Sequence, residues 1–352
     1  MLNKIIKFSL ENRLIIVLLV SISIGLGVRA IWQTPVDAFP DSTPIQVQIN
    51  TTASALSPEE IEQQITLPIE LTISGLPGLQ NVRSISKFGL SQVVATFDDD
   101  THIYDARQLI LERLGSVNLP IGIDSPELGP ISTGLGEVFH YTIRSTDPDR
   151  TLDELRSLHD WVIKPELRKI AGVAEVNSWG GFEKQYQVVV DPNNLIRFNL
   201  TLDDVFRALE QNNKNIGGGQ IVSSGQSFLV HGIGRVSTIK QIENIVIKAI
   251  EGTPILIGNI ADVIVGHEIR RGAVSASGEG EVVLGLGFML MGQNSNEVTR
   301  NLKIQLQSVQ KSLPDDIIVE IVYDRTELVK EVIGTVERNL LAGALLVILV
   351  LF

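Results

Sequence analysis

The sequence predicts an α+β fold flanked by membrane helices, and three observations predict it. Uncharged apolar runs, Leu14–Val28 and Asn339–Phe352, stand near the two ends. Between them, short alternating strands and capped helices follow one another in the order βαββαβ. Part of that order then returns further along the chain, which reads as a supersecondary unit used more than once.

The first apolar run continues through Ala30-Ile31-Trp32 and reaches about the ~20 residues needed to cross hydrocarbon. Arg29 can snorkel, and Trp32 suits the membrane interface. Lys4, Lys7 and Arg13 precede the run and place the N-terminus in the cytoplasm. Residues 2–10 carry Leu2, Ile5, Ile6, Phe8 and Leu10, which suit a short helix lying on the inner surface. A cleaved signal peptide competes, since Val28-Arg29-Ala30 loosely fits a small-residue cleavage site. The far run disfavours it. The sequence stops inside that run, so the chain reads as the front of a longer one, with a second membrane helix begun at 333–352.

Thr34-Pro35-Val36-Asp37-Ala38-Phe39-Pro40-Asp41 is a rigid, helix-breaking exit from the membrane. Ile45–Asn50 alternates like a strand with one buried face. Ser57-Pro58-Glu59-Glu60 joins a capping box to a proline at the first helical position. The helix that follows presents Ile61, Ile65 and Ile69, and Pro68 is expected to kink or end it. Val82–Phe88 and Val93–Phe97 read as strands paired around Gly89, Tyr104–Leu114 as a helix, and Ile123–Leu128 as an edge. This order suggests a ferredoxin-like unit, with helices on one face of an antiparallel sheet.

The pattern resumes at strand Val138–Arg144. Thr151-Leu152-Asp153-Glu154 reads as another capping box, on a helix that again holds an internal proline, Pro165. Pro77-Gly78-Leu79-Gln80-Asn81-Val82-Arg83-Ser84 is echoed by Ala171-Gly172-Val173-Ala174-Glu175-Val176-Asn177-Ser178. Val93–Asp98 finds a second echo in Gln187–Asp191, and helix Tyr104–Leu114 one in Thr201–Asn213. Gly217-Gly218-Gly219 then reads as a flexible loop leading to short strands at Gln220–Val222 and Ser227–His231. A phosphate cradle is the other reading of those glycines, but the Gly-Lys-Ser/Thr ending is missing, so a hairpin or protruding arm fits better. Ile245–Lys248, Pro254–Ile257 and Glu281–Met289 read as strands. A helix at Glu297–Gln310 and a strand at Ile317–Tyr323 complete the region.

Composition narrows the function. Hydrophobic residues make up 44% of the 352 and the mean hydropathy is +0.20, an excess concentrated at the ends. There is no cysteine, which excludes disulfides and thiolate metal sites. The net charge is −12, and because the first 32 residues are net positive the middle is more acidic still. Such a region is a poor nucleic-acid binder and an attractor of cations. Solubility alone explains most of these charges.

Residues 128–141, Leu-Gly-Pro-Ile-Ser-Thr-Gly-Leu-Gly-Glu-Val-Phe-His-Tyr, form a glycine-rich stretch read as flexible and non-helical, with Glu137 where it enters a strand. Its Gly129–Glu137 portion resembles a segment of the heavy-metal branch of the resistance–nodulation–division (RND) exporters. Pro35–Asp41, Asp160-Trp161-Val162-Ile163-Lys164-Pro165, Lys184-Gln185-Tyr186-Gln187-Val188 and Tyr323-Asp324-Arg325-Thr326 resemble that branch too, in the same order. The wording is nearest to the cobalt–zinc–cadmium exporters.

The resemblance implies an inner-membrane homotrimer with a large periplasmic region. It would be driven by proton influx and work with a periplasmic adaptor protein and an outer-membrane channel. A first porter subdomain would occupy 33–135, and a second 136–181 with 272–330. A docking subdomain at 182–271 would carry the glycine-rich arm. No cofactor is implied, and the divalent cation is the transported substrate. Proton-relay carboxylates and several cation ligands would lie beyond residue 352. Neither apolar run holds an acidic residue where a relay would need one.

Glu137 is the candidate cation-contacting residue, against the plainer reading of a surface carboxylate at a strand start. His140 is the next candidate, but residues three apart on a regular strand face opposite sides. Met289 and Met291 fall on one strand face and could hold Cu(I), although core packing explains them better. With cysteine absent, ions of the zinc, cobalt and cadmium kind suit the chain better than soft ones. His102, His159, His231 and His267 show no metal spacing, and no hydrolase or ATPase motif is present. Two other readings stay open: a membrane-tethered assembly module that does not transport, and an exporter of the drug type. The drug-type reading needs an aromatic-lined pocket that 5% aromatics do little to supply.

Overall fold

The computed structural model describes residues 11–33, 43–53, 56–120, 122–223, 226–250, 252–270, 272–278 and 280–351. The expected surface helix at 2–10 and the proline-rich exit at 34–41 lie outside the described residues. Helix α1 (Arg13–Gln33) presents apolar side chains between Leu14 and Leu26 outward, Leu14 at 87% exposure among them.

The first α/β unit runs β1 (Gln46–Thr52), α2 (residues 58–73), β2 (Leu79–Lys87), β3 (Leu90–Phe97), α3 (Ile103–Leu114) and β4 (Glu127–Leu128). Its strands form an antiparallel sheet in the order β2-β3-β1-β4. Alternate residues of β1 and β3, such as Val47, Ile49, Val93 and Ala95, enter one core with Ile61, Ile65, Ile69 and Ile110 of the helices. Ser57 caps α2 through the expected capping box. Pro68 does not end the helix. A π turn at Glu62–Thr66 precedes it, and Leu67 N donates to Glu62 O. The wider turn accommodates a ring that lacks an N–H and would collide with the carbonyl four residues back.

The second unit comprises β5 (Glu137–Ser145), α4 (residues 152–168), β6 (Val173–Trp179), β13 (Val283–Met289), α8 (Ser295–Gln310) and β14 (Ile317–Asp324). Its sheet order, β14-β5-β13-β6, repeats the first one strand for strand. The helix with Pro165 repeats the device too, with a π turn at His159–Ile163. Thr151 stands at the N-cap of α4, but its side chain makes no capping hydrogen bond, contrary to the expected box.

The first sequence echo falls on equivalent turns. Gly78 and Gly172 have φ of +72° and +88° and lead into β2 and β6. Only glycine adopts that conformation without strain.

The second echo is overturned. β7 (Lys184–Val190) pairs with β12 (Ala261–His267), whereas the neighbour of β6 is β13. The structural counterpart of α3 is accordingly α8, not the helix at Thr201–Asn213. Alternation is shared by every half-buried strand and does not say which strand lies alongside.

Residues between β6 and β13 build a third core around Leu200, Val205, Ile242, Ile257 and Ile260. It contains α5 (Pro192–Phe198), α6 (Leu202–Gln211), α7 (Ile239–Glu243), β10 (Val246–Ile250) and β11 (Thr253–Leu256). The ribbon of β8 (Ile216–Ser223) and β9 (Gln226–Gly232) extends from this unit with Ile216, Ile221 and Val222 exposed. Gly217–Gly219 are part of β8 rather than a loop, at a register shift that the φ of +80° at Gly219 accompanies. The expected hairpin is present as this ribbon.

Strand β14 passes directly into α9 (Arg325–Leu351), 27 residues long. By length and composition it is the one described helix able to cross a membrane, with a mean hydropathy of 1.7 over its most apolar stretch.

Candidate cation site

The stretch before Glu137 is tied down by hydrogen bonds and is not wholly non-helical. Gly134–Gly136 form a 3-10 turn, closed by Gly136 N donating to Thr133 O at 2.9 Å. Upstream, Gly129 N donates to Gln48 O at 2.8 Å, and Arg107 Nη1 donates to Gly129 O at 2.6 Å. Met291 N reaches Ile131 O at 3.1 Å and ties the loop to the end of β13. A Cβ on Gly136 would lie 3.0 Å from Met289 O, so the glycine serves close approach rather than freedom.

Strand β5 opens with a β-bulge. Glu137 pairs with Phe288 and Phe139 with Gly287, which leaves Val138 as the extra residue. Val138 and Phe139 are both fully buried in the same core. Two consecutive residues on one face reset the alternation, so Glu137 and His140 emerge together on the other face. The expectation that they face opposite sides is therefore wrong. His140 Nε2 meets Glu137 Oε1, with the two side chains 23% and 34% exposed. The contact lacks hydrogen-bond alignment, and His140 Nε2 has no other hydrogen-bond partner. Tyr323 stands beside the imidazole, ring centroids 4.8 Å apart.

Phe288 also pairs with Glu175 on β6, so Glu137 and Glu175 sit on one face two strands apart. That separation, about 10 Å, is too long for both to bind one ion unaided. Among the described residues no group of three or more His, Cys, Asp or Glu is placed to hold a metal ion. Among the described residues the candidate site is a pair. Met289 is buried in the core, whereas Met291 lies in the turn beyond β13, so the two do not share a strand face.

Sequence reading missed a second polar group, beneath the sheet. Tyr141 Oη and His159 Nε2 are 2.8 Å apart, and His159 Nδ1 lies 2.7 Å from Ser178 Oγ. Ser178 Oγ donates to Asp160 Oδ1, and Arg156 Nε donates to Asp160 Oδ2 at 2.7 Å. Arg156 Nη1 also donates to Gly180 O at 2.8 Å. The i,i+4 pair Arg156–Asp160 was the available signal, but nothing in sequence placed it beside Ser178.

Burial lowers the His159 pKa and outweighs the neighbouring Asp160 carboxylate. Burial alone would raise the Asp160 carboxyl, but hydrogen bonds from His159, Ser178 and Arg156 hold it well below the usual range. Burial and the Asp160 charge both raise the Tyr141 hydroxyl.

Both His159 and Asp160 have folded pKa values below their unfolded ones, so both contribute stability that is lost as pH falls. For His159 the loss begins below about pH 6.5, and for Asp160 below about pH 4. His159→Gln in the detergent-solubilised chain should flatten the fall in melting temperature between about pH 6.5 and 5. An unchanged slope would show that His159 is not held neutral.

Comparison with known proteins places this geometry. The AcrB/AcrD/AcrF family matches residues 5–352. Protein HelA of Legionella pneumophila is 49% identical over all of this chain and 34% of its own length. The cobalt-zinc-cadmium resistance protein CzcA of Cupriavidus metallidurans is 44% identical with the same coverage. A crystal structure of a heavy metal efflux pump superposes with a TM-score of 0.89 at 32% identity, covering 98% of this chain and 35% of that one. The chain spans about a third of the length of the curated relatives it matches. With a single family accounting for nearly every residue and metal-efflux proteins as its relatives, the chain belongs to the AcrB/AcrD/AcrF family of transporters, in its heavy-metal-efflux branch.

Proposed function

We propose that this chain forms the cation-handling, membrane-anchored portion of a proton-driven exporter of divalent heavy-metal ions of the zinc, cobalt and cadmium kind. The observation that carries the reading is the Glu137–His140 pair, which a bulge brings onto one face at the end of a pinned loop. Carboxylate with imidazole suits borderline divalent ions and offers nothing soft for Cu(I). A pair completed by water or by other ligands leaves the ion free to depart, which a closed four-ligand site does not. The names of the relatives favour cations over drugs.

In this reading α1 and α9 cross the inner membrane and the residues between them are periplasmic. The α/β units act as porter subdomains, with 182–271 as the docking subdomain. The whole works as a homotrimer with an adaptor protein and an outer-membrane channel. Reporters fused at position 150 and at the N-terminus should report opposite sides of the membrane. Recovery of a mature protein starting near Ile31 would contradict this.

The test of function is zinc uptake by everted vesicles holding the full-length protein. Uptake should require a proton gradient and collapse with a protonophore. Expression of residues 1–352 alone should leave cellular zinc and cobalt unchanged, because neither apolar run carries a titratable group deep enough to move protons. Lowered zinc from that segment alone would refute the coupling.

A further inference from the structure

The motif Tyr323-Asp324-Arg325 sits where the long apolar helix meets the candidate site. Asp324 ends β14 and Arg325 begins α9, with no residue between them to act as a hinge. Asp324 Oδ1 caps the helix by accepting from Thr326 N at 2.8 Å and Thr326 Oγ1 at 2.7 Å. Its other oxygen meets Lys303 Nζ on α8. A register shift at Val322 places Tyr323 opposite His140, where its ring rests against the imidazole. The Arg325 side chain is buried, and Nη1 donates to Leu135 O in the 3-10 turn that delivers Glu137.

From this arrangement we infer that Tyr323-Asp324-Arg325 couples the position of α9 to the geometry of the Glu137–His140 pair, with Arg325 as the positioning residue that grips the Glu137 turn. The inference rests on the cation reading of that pair. A helix of 27 residues is a stiff rod about 40 Å long. When it tilts or shifts, its first residue moves with it. A buried guanidinium bonded to a carbonyl draws the turn along, because letting go would forfeit a charge-assisted hydrogen bond. Tyr323 carries the same displacement to His140. Glu137 and His140 are thus held by Arg325 and Tyr323, two residues apart at the root of one helix, and moving the root changes how the pair faces an ion. Ion release is then tied to movement in the membrane, which coupled transport requires.

The experiment uses the full-length protein in proteoliposomes under a proton gradient, with equilibrium zinc binding measured in detergent. Arg325→Met should lower the maximal rate of zinc transport by about tenfold or more while binding stays near wild type. Arg325→Lys, which can still donate to Leu135 O, should recover much of the rate. Tyr323→Leu, at a partly exposed position that tolerates replacement, should lower the rate in the same direction with binding retained. Wild-type rates in both Arg325→Met and Tyr323→Leu would overturn the inference. So would parallel loss of binding and rate that Arg325→Lys does not rescue, which marks a merely structural role. If Glu137→Gln itself transports zinc normally, the cation reading fails. If Glu137→Gln is impaired and the two root variants are not, only the coupling fails.

Discussion

Glu137→Gln in the full-length protein is expected to lower divalent-cation export by at least about tenfold, with expression and assembly unchanged. The substitution keeps size and polarity and removes the one negative charge of the pair. Loss even of outer-shell support typically costs about 10–100-fold in metal affinity, and removing a charged contact should cost no less. The fold has little stake in the residue. Glu137 is partly exposed at a strand start, and its side chain meets only His140 among the described ion pairs. Glu127→Gln is the control: Glu127 is an exposed carboxylate on β4, at the far edge of the other sheet. Zinc and cobalt resistance, measured beside vesicle transport, should fall for Glu137→Gln and stay near wild type for Glu127→Gln. Undiminished resistance in both would return Glu137 to the role of a solvated surface acid.

The largest expected effect on stability is that of Gly285→Ala. Gly285 lies mid-strand in β13, opposite Tyr141, and a Cβ there would come within 2.2 Å of the Tyr141 ring. The ring cannot withdraw freely, because its hydroxyl is tied to the fully buried His159. Overpacking and a stranded buried hydroxyl together should cost about 2–5 kcal/mol. Gly287→Ala, two residues on, would meet Leu302 Cδ1 at 3.2 Å, a contact that a flexible side-chain end can relieve. A melt of the detergent-solubilised chain should show a large drop for Gly285→Ala and a small one for Gly287→Ala. Equal melting of Gly285→Ala and wild type would mean that Tyr141 does not lie over Gly285.

What could be read in sequence was local. The capping box at Ser57 is a side chain to backbone contact within three residues and it formed, whereas the one expected at Thr151 did not. The paired glycine turns at Gly78 and Gly172 were legible because a left-handed backbone leaves a glycine behind. Strand partners were not legible. β6 finds β13 across the whole inserted unit, and alternation carries no address. The bulge at Val138 was invisible for a related reason. Its signal is two adjacent apolar residues, Val138 and Phe139, which on a regular strand would merely point opposite ways. Glu137 could therefore be chosen from its sequence context while His140 was set aside, although the fold joins them. The π turns before Pro68 and Pro165 show the same limit: proline predicts a disturbance, and packing decides whether the helix ends or widens.

In the proposed function Glu137 and His140 together touch the transported ion. Zinc K-edge absorption spectra of the full-length protein, loaded with one zinc per protomer, test it most directly. Oxygen and nitrogen neighbours are expected at about 2.0–2.2 Å, with outer-shell imidazole scattering that diminishes in His140→Ala and a shell that weakens in Glu137→Gln. Spectra and zinc stoichiometry identical to wild type in both variants would contradict it.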